Sequence, residues 1–395
     1  MFLPLGDEPN PSGVPVVTYI LLGVNVVVFL LVTLPLSAVR PDFDDPLLAE
    51  YVQVLTSQRF ELDVLLQTVS SYDLVLFNYG YRPADPSALA LLTSMFLHGG
   101  FMHLAGNMLF LWIYGDNVEH RLGAPRFLLA YVGTGAIATL SHAVLDLGSE
   151  LPVVGASGAI SGVLGFYFVW FPKNRVRLWV MLFPFFMNVI YAPARLVLGM
   201  YLIIDNIMPL LVTRGLEGSG VAYGAHIGGF VGGLVCAWWS DRREVDQAPK
   251  EYKSRNLTID ADPSSVRGIR QRIEDGNYKE VAPDYFQLSS ARTVRLLRPE
   301  DSIQFANWLA NHRHPDAALT VYQRHLRDFP VGPYVSEAHL GAGLVQFHAR
   351  NQPTAAYQHL VAVLDTDAHP DTKAHARRAL AEITDRQQFQ VGRTD

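Results

Sequence analysis

GASGAISG, residues 155–162, sets Ser157 between glycines at the start of an apolar segment, and YGAHIGGFVGG, residues 223–233, sets His226 near the start of another. A third stretch, HGGFMHLAGN (98–107), holds His103 and Asn107 four residues apart, which puts both on one face of a helix. Polar side chains are costly inside a bilayer, so each one in such a segment is a functional candidate. A serine hydroxyl is a weak nucleophile until a neighbouring base takes its proton, and histidine is suited to that exchange near neutral pH. The set reads as acyl-transfer chemistry. Ser157 is the nucleophile, and His226 takes its proton and returns it to a leaving amine. His103, Asn107 and the backbone N–H of Ser157 donate to the developing oxyanion. Gly155 and the neighbouring glycines let a substrate strand come close. No carboxylate in these segments completes a triad, since Asp205 lies past the middle of its own segment and too far inward. A dyad is the economical reading.

These residues need helices that bring them to one depth. Residues 14–34 form an apolar run of spanning length, preceded by a tail with Asp7 and Glu8 and no Lys or Arg, so it is expected to be a retained span and not a cleaved signal. Five further spans are expected near 101–119, 125–144, 156–171, 192–212 and 221–239, the fourth being short. The loop of more than 60 residues after the first span suits helices lying on the bilayer. Residues 176–190 are apolar but interrupted by Pro184, and are read as re-entrant or interfacial, with a seventh span as the alternative. Arg121, Arg126, Lys173, Arg175, Arg177, Arg242 and Arg243 cluster in alternate short loops, which puts both termini on the cytoplasmic side. With that orientation, His103, Asn107, Ser157 and His226 all fall a little below the outer surface. Gly158 and Gly162 on the fourth span, and Gly224, Gly228 and Gly232 on the sixth, with Gly229 and Gly233 beside them, are small-residue rows through which helices can approach.

Only ten of the 31 Lys and Arg residues occur before residue 240, so a membrane part is followed by a soluble one. The expected division is a tail (1–13), a membrane domain (14–240), a polar linker (241–263) and a cytoplasmic α-helical domain (264–395). In the last, HPDAALTVYQRHLRDFP (314–330) aligns with QPTAAYQHLVAVLDTD (352–367) at a spacing of 38, and GNYKEVAPDYF (276–286) is a poorer copy. This loosely resembles tetratricopeptide repeats, and a generic stack of helical hairpins accounts for it nearly as well. Such a stack is a scaffold for a cytoplasmic protein or peptide partner, or a stabilising appendage. The mild net charge of −6 argues against nucleic acid. One cysteine, Cys236, excludes an intrachain disulfide and a cysteine-based zinc site. No metal and no cofactor are expected.

HGGFMHLAGNMLFLWIYGDNVEHRLG (98–123), GASGAISG (155–162) and AHIGGFVGG (225–233), in this order, resemble the rhomboid family of intramembrane serine proteases, with Asn25 and Phe29 of the first span agreeing. The resemblance covers about residues 14–239. It implies an all-α, polytopic six-helix membrane bundle whose site opens to the outer face. It also implies cleavage of single-span membrane proteins in or near their transmembrane segments. By motif position Ser157 is the nucleophile, His226 the base, and His103 and Asn107 line the oxyanion site, while Glu119 and Arg121 match a structural motif of an inner loop. Two departures bear on how the histidine is held. Some members carry an aromatic four residues after the nucleophile, where this chain has Ser161, and a Trp before the Ala-His pair, where it has Gly224. A rhomboid-like adaptor that binds transmembrane clients without cutting them is the alternative, and such proteins lose the Ser or the His. A transporter or channel would need polar residues through the full depth. With no organelle-targeting segment, a bacterial inner membrane is the expected location.

Overall fold

The computed structural model describes residues 2–11, 13–57, 67–182, 186–213, 221–246, 263–286 and 297–391. In chain order its elements begin with strand β1 (Phe2–Glu8) and helix α1 (Val16–Ser37), which contains a π-turn at Phe29–Thr33. Three helices follow in the long loop, α2 (Pro46–Ser57), α3 (Ser71–Tyr79) and α4 (Ala88–Phe96). Then come α5 (Phe101–Leu122), α6 (Ala124–Ala143), α7 (Ser157–Trp170), strands β2 (Arg175–Leu182) and β3 (Phe186–Pro193), α8 (Ala194–Val212) and α9 (Tyr223–Asp246). The chain divides into two compact units near Ala237. Arg214 and most of the 241–263 linker lie outside the described residues, although α9 runs on to Asp246.

The first unit is a helical bundle, with a helix at each of the six expected segments. Apolar residues pack inside it around Leu111, Tyr114, Phe127, Leu164 and Tyr167. Large apolar side chains also cover its outside, among them Leu31, Leu129, Ile203, Leu211 and Val235. Exposed surface this apolar suits contact with hydrocarbon and not water. By length and composition α1 and α8 each suffice to cross a membrane, and the pair α4 and α5, bent by 88°, passes as one. The 14-residue α7 is about 21 Å long at 1.5 Å per residue, shorter than a bilayer core of about 30 Å.

Specific polar contacts tie the bundle together. The Glu119 carboxylate, near the end of α5, accepts from the backbone N–H groups of Val17 (2.9 Å) and Thr18 (2.7 Å) and from the Thr18 hydroxyl (2.8 Å). It thus satisfies orphan donors at the start of α1, where the helix dipole favours a negative charge. The Arg121 guanidinium stacks 4.4 Å above the Trp170 ring. Asn25 is fully buried and donates to Leu21 O one turn back (2.7 Å). Gly123, at φ +79°, turns α5 directly into α6.

The fold is helical as expected, with one addition. Residues 176–182 and 186–190, read as re-entrant or interfacial with a seventh span as the alternative, are strands and not a spanning helix: β2 and β3 lie side by side and β1 pairs with β2, in the order β1-β2-β3. The N-terminal tail therefore holds a strand. The reason is legible in β2: Val176, Leu178 and Val180 are buried, while Arg175 and Arg177 are exposed and Trp179 is half-buried. That alternation of period two specifies a half-buried strand. Asp7, near the end of β1, is buried, and its carboxylate accepts from Asn117 Nδ2 (3.0 Å) and from the Tyr167 hydroxyl.

The second unit is a stack of helical hairpins: α10 (Pro263–Glu274) with α11 (Tyr278–Tyr285), α12 (Pro299–Asn311) with α13 (Pro315–Asp328), and α14 (Val335–Leu344) with α15 (Pro353–Leu364), followed by α16 (Pro370–Val391). Each hairpin turns through a residue in the left-handed region just before its second helix, namely Gly276 (φ 76°), Arg313 (φ 63°) and Asn351 (φ 51°). The last two are separated by the 38 residues seen in the sequence alignment. Ala318 and Ala356, equivalent in that alignment, are both fully buried.

Candidate active site

Ser157 is the first residue of α7, and His226 lies in the first turn of α9. Ser157 Oγ stands 2.8 Å from His226 Nε2. Glycine makes this approach possible. A Cβ built on Gly229 would stand 2.1 Å from Gly158 O, and one on Gly233 would stand 2.0 Å from Gly162 O. Helices α7 and α9 therefore meet backbone to backbone just below the pair. The row expected to make this contact faces elsewhere: Gly224 packs on His142 of α6 and on Leu145 just beyond it, Gly228 on Ser141 and Gly232 on Ile137. Gly158 and Gly162 also face α6, against Ala138 and Thr134. Three helices thus converge through glycines.

The remaining expected residues surround this end of the bundle. Gly155, at φ +119°, donates its N–H to Ser94 O (2.8 Å), and a Cβ there would stand 2.7 Å from His103 Cε1. Only glycine fits both the backbone and the histidine ring lying over it. His103 is exposed, and its ring centroid is 5.2 Å from that of buried His98. Asn107, one turn further along α5, is buried, and its Nδ2 has no partner among the described residues. A buried amide donor left unpaired is expensive, and Asn107 shares that state with other buried polar groups, Tyr114 and Tyr131 among them.

Two residues near His226 were not anticipated. Asn206, in a π-turn of α8 (203–207), places Oδ1 2.6 Å from His226 Nδ1, while its Nδ2 donates to Tyr201 O (3.0 Å). The signal was present as a polar Asp205-Asn206 step in an apolar helix, but a search for a carboxylate passes over it. Asp205 itself is exposed. His142 of α6 lies beside Gly224 and bears electrostatically on His226, as His103 does. Ser161, fully buried on α7, has no ring to stack on the histidine.

A helical bundle with an apolar exterior, of the kind membrane proteins present, thus brings a serine and a histidine together at the start of a short helix. Residues 86–242 match the Rhomboid domain family, and the chain therefore contains a rhomboid domain. It is similar to Rhomboid protease GluP of Bacillus subtilis, 35% identical over 150 residues, covering 37% of this chain and 25% of that protein. It is also similar to Rhomboid protein 1, mitochondrial, of Saccharomyces cerevisiae, 28% identical over 175 residues, covering 43% and 46%. A shorter match, 34% over 74 residues covering 19% and 5%, is to Inactive rhomboid protein 1 of Drosophila melanogaster. The matches span less than half the length of each of these relatives.

Proposed function

We propose that the chain is an intramembrane serine endopeptidase that cleaves single-span membrane proteins in or near their transmembrane segments. The observation that carries this reading is the 2.8 Å contact between Ser157 Oγ and His226 Nε2. In the proposed reaction His226 takes the Ser157 proton as Oγ attacks the scissile carbonyl. The oxyanion is received by Asn107 Nδ2, by His103 and by the backbone N–H of Ser157. The tetrahedral intermediate collapses as His226 Nε2–H protonates the leaving amine, and water repeats the sequence on the acyl-enzyme. In this reading the six helices α1, α5, α6, α7, α8 and α9 all span the bilayer, the site opens to the outer face and both termini are cytoplasmic, in a bacterial inner membrane. The hairpin stack is then a tetratricopeptide-like cytoplasmic scaffold for a protein or peptide partner. Support comes from the protease relatives and from the retention of both Ser157 and His226.

The test is co-expression of single-span reporters, bearing small residues and a helix-destabilised upper segment, with wild type, Ser157→Ala or His226→Ala at matched membrane levels. Cleavage by wild type alone, with fluorophosphonate labelling that requires Ser157, is the expected result. A reporter panel left intact by wild type, with Ser157 unreactive to the fluorophosphonate, would instead identify a non-cleaving adaptor.

A further inference from the structure

We infer that Asn206 is the third member of the site, a positioning residue that fixes the tautomer and ring plane of His226. The inference rests on the peptidase reading above. It is carried by two hydrogen bonds on one buried amide. Asn206 is 1% exposed; Oδ1 lies 2.6 Å from His226 Nδ1, and Nδ2 donates to Tyr201 O at 3.0 Å. The second contact settles the first. A backbone carbonyl only accepts, so the nitrogen of the amide must be the atom facing Tyr201 O. The oxygen then faces His226, and an amide oxygen also only accepts. Nδ1 must therefore carry the proton, and in the neutral ring Nε2 holds the lone pair. Nε2 is the atom 2.8 Å from Ser157 Oγ. Asn206 thus selects the one neutral form of His226 that can receive the serine proton.

The proton balance is complete without any change at Asn206. The Oγ proton moves to Nε2 as the Oγ–carbon bond forms, giving an imidazolium that donates from Nδ1 to Asn206 and from Nε2 toward the leaving nitrogen. Breaking the scissile bond transfers the Nε2 proton to that nitrogen and restores the neutral ring. An amide orients the ring and accepts throughout, but adds no full charge to stabilise the imidazolium. A carboxylate at 206 would add one.

The test uses purified full-length protein, a single-span reporter peptide and fluorophosphonate labelling of Ser157, over pH 5–9. In Asn206→Ala the ring loses its tautomer lock. The kcat is expected to fall on the order of 10²-fold with KM within about twofold, and labelling to slow in parallel. In Asn206→Asp the lock is kept and a charge is added, so cleavage at pH 8 recovers to within about tenfold of wild type and the acid limb moves up by about one pH unit or more. The other titratable groups facing the ring are His103 of α5 and His142 of α6, with Asp205 next to Asn206 on α8. The shift between Asn and Asp at 206 must therefore persist in His142→Gln and Asp205→Asn backgrounds. Wild-type kcat in Asn206→Ala, or an unmoved acid limb in a folded Asn206→Asp, would overturn the assignment while leaving Ser157 and His226 in place. Should Asn206→Ala fail to fold, the Asp variant decides alone. Undiminished cleavage by Ser157→Ala or His226→Ala would instead remove the reading on which the inference rests.

Discussion

Gly229 of α9 lies against the carbonyl of Gly158 in α7, leaving only 2.1 Å between that oxygen and a Cβ built on Gly229. The contact is backbone on backbone, one residue from the proposed nucleophile and three from the proposed base. No side chain can swing aside to relieve an added methyl. Gly229→Ala should therefore drive the helices apart, costing about 1–3 kcal/mol of stability and at least tenfold in cleavage. Gly199→Ala, on a face of α8 with nothing within 4 Å, should do neither. Thermal melts and reporter cleavage of the two variants, run side by side, would expose equal behaviour and so refute this account.

Asn107 presents a buried Nδ2 that no described residue accepts. If that donor serves the oxyanion, Asn107→Ala should lower kcat by about 10²–10³-fold. It should also leave thermal stability unchanged or raised, because an unpaired buried donor is removed. A variant that melts early and keeps its kcat would show a packing role instead.

Glu119 works at the opposite end of α5 from His103, 16 residues and so about 24 Å away. Glu119→Ala should destabilise the bundle by about 1–3 kcal/mol through the three donors it strands at the start of α1. Activity per folded molecule should stay near that of wild type. A fall in kcat matching that of His226→Ala, with no change in melting, would contradict this.

In the second unit, burial holds the His325 imidazole below its ordinary pKa, against the opposing pull of Asp328 and Glu337, and its Nδ1 lies 2.7 Å from Ser302 Oγ. A histidine lowered in the folded state binds protons more readily when unfolded. Its contribution to stability is therefore complete above about pH 6.5 and declines as pH falls from there toward the folded value. Hydrogen exchange in α12 and α13, corrected for intrinsic rates, should show protection declining from pH 7 to pH 5 in wild type and less so in His325→Gln. Equal decline in both would exclude His325 as the source.

What the sequence revealed follows from which signals are local. Ser157, His226, His103 and Asn107 stand out because each is polar in an apolar helix near its start. The glycine rows were visible, but which row meets which helix depends on rotation about the helix axis, and Gly229 proved to face α7 where Gly224 faces α6. The β2–β3 hairpin was hidden because its overall apolarity outweighed the alternation at Val176, Leu178 and Val180. The repeat was legible in Ala318 and Ala356. The left-handed turn at Arg313 was not, since arginine is not a residue type that signals one. Asn206 was missed on two counts: a search for a carboxylate passes over an amide, and regular helical spacing does not foresee the π-turn that carries it.

That π-turn, at residues 203–207, acts as a phase shift in the fifth apolar segment. An ordinary helix advances about 100° per residue, so one residue accommodated in a wider turn rotates everything beyond it by about that amount relative to what came before. The stretch from Ala194 to Leu202 and the stretch from Met208 onward are thereby released from a common azimuth. Each can be tuned to its own surroundings without dragging the other around. Removing a single residue between 203 and 205 would re-phase the helix and swing the amide at 206 away from the imidazole, with every chemical group of the site still present in the chain. In this protein the count of residues in one helix is as much a part of the site as their identity.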